Sequence, residues 1–203
     1  MEAILTNTGQ VTVAALAGNA AAGGLMLALA ADQVWCRSGV VLNPHYRLMG
    51  LHGSEFWTYT LPRRVGASEA ARLTHACLPV NPGAALRSGM VDRVIADTAA
   101  GFRAQVAALA GHLVSSAAYQ RLLAAKARQL AAPAQHRPLA AYRAAELAVM
   151  ARNFFDPREP YAELRRAFVY KESHRTPRPP PHPGPRCLGQ TSPGGQLSGT
   201  GMR

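Results

Sequence analysis

An α/β fold followed by a helical C-terminal region is what this 203-residue sequence predicts. Three observations lead there. Short β-branched or apolar runs alternate with helix-length segments over the first 96 residues, as in strands joined by crossover helices. From 97 to 171 only the helical pattern continues, punctuated by serines and prolines. Beyond Lys171 the composition shifts to 7 Pro and 6 Gly in 32 positions, with too few large aliphatics to offset ordering entropy. The expected division is 1–96 as α/β core, 97–171 as helical region and 172–203 as a disordered tail.

Val11 to Leu16 is an apolar, β-branched run ending near Gly18, which suits an interior strand. Gly18 to Gly24 reads as a turn of small residues, and Leu25 to Ala31 as an apolar helix stopping near Asp32. Strand-like runs follow at 33–36 and 40–42, bracketed by Arg37-Ser38-Gly39 and Asn43-Pro44. Ser54 is expected to cap a helix carrying Glu55, Phe56, Trp57 and Tyr59, with Pro62 clouding its far end. Helices at 67–77 and 82–88 and a strand at 90–95 complete the core. Four amphipathic helices are expected at 97–113, 116–131, 138–153 and 157–169. In the tail, Pro179-Pro180-Pro181 reads either as an extended ligand for a proline-reading domain or as unselected sequence.

Charge and cysteines exclude several classes. The net charge is +11, but only two of the 22 basic residues are lysine and alanine occurs 39 times, the bias of a GC-rich coding sequence. The charge is also uneven: +1 over 1–97, +7 over 98–171 and +3 over 172–203. No basic face is interleaved with stacking aromatics, so a nucleic-acid role is not expected. Val13 to Ala31 is 19 residues without a charge. Alanine and glycine dominate it, glycines divide it and no basic segment precedes it, so neither a membrane span nor a signal peptide is expected. Cys36, Cys77 and Cys187 are odd in number and widely spaced, which argues against a disulfide scaffold and for a cytoplasmic location. No His, Cys or carboxylate pair has metal-ligand spacing, and no metal is expected.

The paired glycines Gly23 and Gly24 precede the predicted helix, whose first N–H groups carry partial positive charge. Small residues upstream would let a ligand approach that backbone, and such donors stabilise a developing oxyanion by about 3 kcal/mol each. The same glycines also suit a tight strand-to-helix turn with no ligand.

The string Ala14-Ala15-Leu16-Ala17-Gly18-Asn19-Ala20-Ala21-Ala22-Gly23-Gly24, then Leu27 to Asp32, resembles the core of the enoyl-CoA hydratase/isomerase (crotonase) family. Arg63-Arg64-Val65-Gly66 and Ala84 to Val91 fall where that family has its R-x-V-G and A-x-x-x-G-L-V elements. Asn43-Pro44-His45-Tyr46 and Gly53-Ser54-Glu55-Phe56-Trp57-Thr58-Tyr59 narrow the likeness to the C-terminal module of the HypX/HoxX hydrogenase maturation proteins. The resemblance covers residues 11–96. It implies a partial ClpP/crotonase β-β-α spiral, with Gly23 giving one of two backbone donors to a CoA thioester oxygen. Only ten residues precede Val11, so the strand-loop unit that gives the other donor is expected to be absent and the chain to be truncated, either active or inactive on its own.

The resemblance further implies a crotonase-type lyase that releases carbon monoxide from formyl-CoA as an iron ligand for [NiFe] hydrogenase. A formyl-tetrahydrofolate transferase module upstream and hydrogenase maturation proteins are the implied partners; the CoA thioester is substrate, with no tightly bound cofactor. Where hydratases carry acid/base glutamates this chain has Met26 and His45, which disfavours alkene hydration. A general acyl-CoA hydratase/isomerase and a non-catalytic interaction fragment remain as alternatives.

Among side chains, Glu55 is the candidate for proton transfer, being the only carboxylate between Asp32 and Glu69. Its other reading is a helix-start charge after Ser54. Tyr46 reads as a hydroxyl partner of the substrate or as a half-buried aromatic with its OH in water. His45 reads as a base or as a hydrogen-bonded structural residue, and His52 is expected to be exposed. Gly24, His45 and Trp57 are expected along the substrate pocket. Arg121, Arg128, Arg143, Arg152, Arg165 and Arg166 are candidates for CoA phosphates.

Overall fold

The computed structural model describes residues 1–7, 9–96, 98–131 and 137–171; the expected tail at 172–203, with its proline run, lies outside them. The chain starts with helix α1 (Glu2–Thr6) and then strand β1 (Val13–Leu16). Strand β2 (Ala20–Ala21) leads directly into helix α2 (Ala22–Leu29). The same strand-strand-helix order repeats with β3 (Gln33–Arg37), β4 (Leu42–Asn43) and α3 (Trp57–Val65). Helices α4 (Ala67–Ala76) and α5 (Pro82–Arg87) precede β5 (Arg93–Ile95). Four further helices follow: α6 (Ala99–Val114), α7 (Ala117–Ala131), α8 (Leu139–Phe155) and α9 (Tyr161–Tyr170).

Successive strands alternate between two parallel sheets, which gives the chain its spiral. One sheet has the order β1-β3-β5, with Val13 opposite Gln33 and Trp35 opposite Arg93. The other pairs β2 with β4, Ala20 opposite Leu42 and Ala21 opposite Asn43. Helix α2 lies against both. Its Leu25, Met26 and Leu29 pack with Val34, Cys36, Leu42, Leu61, Ala85 and Met90 in the main core, each large aliphatic contributing about 1.5–3 kcal/mol by burial. A second cluster, Trp35, Ile95 and Phe102, seats α6 against the three-stranded sheet.

Three sequence expectations need correction. Gly18 to Gly24 is not one turn: Ala20 and Ala21 pair with β4, and α2 starts at Ala22, so both glycines lie within its first turn. The strand expected at 40–42 is displaced to Leu42–Asn43. Ser54 does not cap α3, and Glu55 is not in that helix. It starts at Trp57 after Phe56, whose φ of 53° is left-handed, and no side chain of Phe56 caps it. It then runs through Pro62 to Val65.

Two ionic clusters, one partly exposed and one built on the buried Lys126, fix the far end of α2. Arg64 donates to the carbonyls of Leu29 and Ala31 at 3.2 and 2.7 Å, satisfying orphan groups of the helix C-terminus. It also pairs with Asp92, which accepts from the Val34 amide at 2.6 Å and so ties β3 to the same point. Asp32 accepts from both the amide and the hydroxyl of Thr12, and from Lys126 at 2.8 Å. The buried Lys126 ammonium reaches the carbonyls of Ile4 and Gln10 as well, so α7 clasps the start of β1. With its C-terminal end held, α2 presents its N-terminal end at the opposite side of the core.

Candidate active site

The site forms where the first turn of α2 meets the segment between β4 and α3. Ala22 takes φ 46° at the strand-to-helix turn, a left-handed conformation costing a non-glycine residue about 1–2 kcal/mol. Gly23 follows immediately. Its N–H lies in the first turn, where no intrahelical acceptor exists. A Cβ built on Gly23 would lie 3.1 Å from Glu55 Oε1 and 3.3 Å from its Cδ. The Glu55 carboxyl therefore lies close against Gly23, and a side chain there would make it give by a few tenths of an ångström. Gly24 is exposed, and a Cβ there would meet nothing within 4 Å, so open space adjoins this contact.

Glu55 is half-buried and its second oxygen is held twice. Oε2 accepts from the Tyr46 hydroxyl at 2.7 Å and from the Ser54 amide at 2.8 Å. Tyr46 is buried, with only 7% of its surface exposed. Burial first, then the hydrogen bond and charge of Glu55, and lastly the charge of Glu146, push its phenol above the ordinary tyrosine value. The phenol thus stays protonated and donates at neutral pH. Gly53 supports it from below: at φ 88°, a Cβ on Gly53 would stand 2.5 Å from ring atoms Cε2 and Cζ of Tyr46. Gly23, Glu55 and Tyr46 are thereby brought to one point.

The remaining predicted residues lie around this point or away from it. His45 is buried, its amide donating to the Asn43 carbonyl at 3.0 Å. Burial, then the Arg47 charge, holds the imidazole below its usual pKa against a hydrogen bond with the Cys77 backbone that raises it, and no hydrogen bond links it to Glu55 among the described residues. Trp57 opens α3, packs on the main core and buries its Nε1 without a partner. His52, expected at the surface, is half-buried against Trp57 with ring centroids 5.1 Å apart. Desolvation, with Arg152 adding and Glu146 opposing, lowers its pKa. Met26 is fully buried. Burial pushes the Cys36 thiol up to about 11, which leaves it unreactive at neutral pH. Of the basic candidates, Arg143 faces Glu2 at 3.8 Å, and Arg165 and Arg166 line an open groove on α9 with Val169 and Tyr170.

Glu146 is the residue that sequence reasoning missed. It sits on α8 with 1% of its surface exposed. Its oxygens accept from the amides of Phe56 and Thr58 at 2.8 and 2.9 Å and from the Thr58 hydroxyl at 2.5 Å. It therefore caps α3 from 90 residues away, where Ser54 was expected to cap it locally. A signal existed: Glu146 is the sole carboxylate between Asp97 and Asp156, in an otherwise basic region. Among the described residues, no cluster of His, Cys, Asp or Glu could hold a metal ion, and no helix is long and apolar enough to cross a membrane.

Comparison with known proteins adds to this geometry. Residues 3–172 match the sequence model of the enoyl-CoA hydratase/isomerase family. Over 98 residues the chain is 50% identical to the hydrogenase maturation factor HoxX of Bradyrhizobium diazoefficiens, covering 48% of this chain and 17% of that protein. The crystal structure of HypX from Aquifex aeolicus in complex with tetrahydrofolic acid aligns with a TM-score of 0.77 at 36% identity, over 85% of this chain and 31% of that one. An enoyl-CoA hydratase/isomerase from Pseudoalteromonas atlantica aligns at 0.69 and 22% identity, over 85% of this chain and 66% of that one, a likeness of fold alone. The chain spans 17% of the HoxX length and 31% of the HypX chain.

Proposed function

The chain belongs to the enoyl-CoA hydratase/isomerase family, and from that premise we propose that it is a HypX-like module that breaks formyl-CoA into carbon monoxide and free CoA for hydrogenase maturation. The observation that supports this reading is the meeting of Glu55, Tyr46 and the Gly23 end of α2. The Gly23 N–H holds the thioester oxygen as one donor of an oxyanion site. Glu55 takes the formyl proton; the C–H electron pair stays on carbon while the C–S pair leaves with sulfur. The proton then returns to the thiolate, so CO and CoA thiol form with no oxidant or reductant. Tyr46 keeps Oε2 occupied and leaves Oε1 toward Gly23, fixing which oxygen meets the substrate.

The HypX structure holds tetrahydrofolic acid, which fits a longer relative whose formyl-tetrahydrofolate transferase module supplies the formyl thioester. The buried Met26 speaks against alkene hydration, because a thioether can neither give nor take a proton. Incubating the full chain with formyl-CoA is expected to release CO, trapped as carbonmonoxy-haemoglobin, in amounts equal to the free thiol. Formate in place of CO would overturn the reading. Turnover of crotonyl-CoA would favour a general hydratase, and CoA binding without turnover of either substrate a non-catalytic module.

A further inference from the structure

We propose that Glu146 is a positioning residue for the Glu55–Tyr46 pair, acting through the backbone that carries Glu55; the inference rests on the reading of Glu55 as the proton-transferring group. Glu146, Met150 and Asn153 are spaced four and three residues apart, which puts them on one stripe of α8. That stripe grips a single segment. Asn153 Oδ1 accepts from the His52 amide at 2.9 Å, and Met150 Sδ from the Gly53 amide at 3.1 Å. Glu146 then takes the Phe56 and Thr58 amides and the Thr58 hydroxyl. Glu55 lies between these grips, with its side chain turned the other way, onto Gly23 and Tyr46.

A mere helix cap does not require this arrangement. Helices α5 and α6 are capped locally, by Asn81 and Thr98, and a small polar residue at position 56 would serve α3 in the same way. Position 56 holds phenylalanine in a left-handed conformation, a bend between Glu55 and the helix axis that must be held from outside. Glu146 grips the residue immediately after Glu55, so any slackening there moves the carboxyl group. The stripe is itself braced: Asn153 donates to Glu159 at 3.3 Å, and Tyr161 of α9 packs on Gly50 at the start of the segment.

The test uses the full chain with Glu146→Gln, which keeps the shape but replaces one acceptor oxygen with a donor. The Tyr46 ¹³Cζ resonance, assigned by its disappearance in Tyr46→Phe, reports the hydrogen bond to Glu55 without any substrate. In Glu146→Gln it is expected to move toward the position it takes in Glu55→Ala, which removes the acceptor altogether, while kcat for CO release falls about 10²-fold and KM changes little. An unmoved resonance in the folded variant overturns the proposal, as does an unchanged kcat alongside an active wild type. If the wild type releases no CO yet the resonance moves, the positioning stands and the formyl-CoA reading falls. Should Glu146→Gln fail to fold, Thr58→Val removes only the hydroxyl donated to Glu146. Its resonance is then expected to move part of the way, and an unmoved one counts against the proposal.

Discussion

Replacing Glu55 with glutamine is expected to lower CO release from formyl-CoA by about 10²–10⁴-fold, the range for removing a positioned acid/base group. Glutamine matches the shape of Glu55 and can still accept from Tyr46 and the Ser54 amide, the two groups that hold Oε2. What it loses is the ability to take a proton at the oxygen beside Gly23. The fold has little stake in the change, because Glu55 is half-buried and lies outside the main core. Far-ultraviolet circular dichroism and the thermal midpoint are therefore expected to stay near wild type while trapped CO disappears. A folded variant that turns over at the wild-type rate would remove Glu55 from the chemistry.

Gly53→Ala is expected to damage the site from beneath. The new methyl would stand 2.5 Å from two ring carbons of Tyr46 and 2.8 Å from a third, about 1 Å inside ordinary carbon–carbon contact. Neither side yields easily. The Gly53 amide is bonded to Met150, its φ of 88° disfavours any side chain, and Tyr46 is packed into the main core. The ring must shift, and a shift near 1 Å ends its 2.7 Å hydrogen bond to Glu55. Turnover is expected to fall about 10²-fold, and urea denaturation to show a stability loss of about 1–3 kcal/mol. Gly111→Ala in α6, where a Cβ meets nothing within 4 Å, serves as the control and is expected to retain full turnover.

Much of the fold was legible because local signals agreed with burial. The run around Val13 and the Gln33–Cys36 run became parallel neighbours, and the expected C-terminal helices appear within a few residues of their expected bounds. Strands of two residues, such as β2 and β4, carry no periodicity to read. The start of α3 was misplaced because its cap arrives through tertiary structure, from Glu146, and a left-handed phenylalanine has no sequence signature. The local rule favoured Ser54, two residues too early. Glu55 and Tyr46 could be singled out by residue type and by family likeness. That their side chains touch, and that Glu55 lies close against Gly23, depends on how β4, α2 and α8 are stacked. The same holds for Lys126, whose burial against Asp32 no local pattern foretells.

Whether the start of α2 receives the acyl oxygen is best decided by nitrogen-edited NMR on the labelled full chain. The ligand would be an unreactive CoA thioether bearing a ketone in place of the formyl thioester. The account predicts a saturable shift centred on the Gly23 amide, with the Tyr46 ring signal following as the ketone settles beside Glu55. Saturation that leaves the Gly23 amide unmoved, with the shifts gathered elsewhere on the chain, would contradict it.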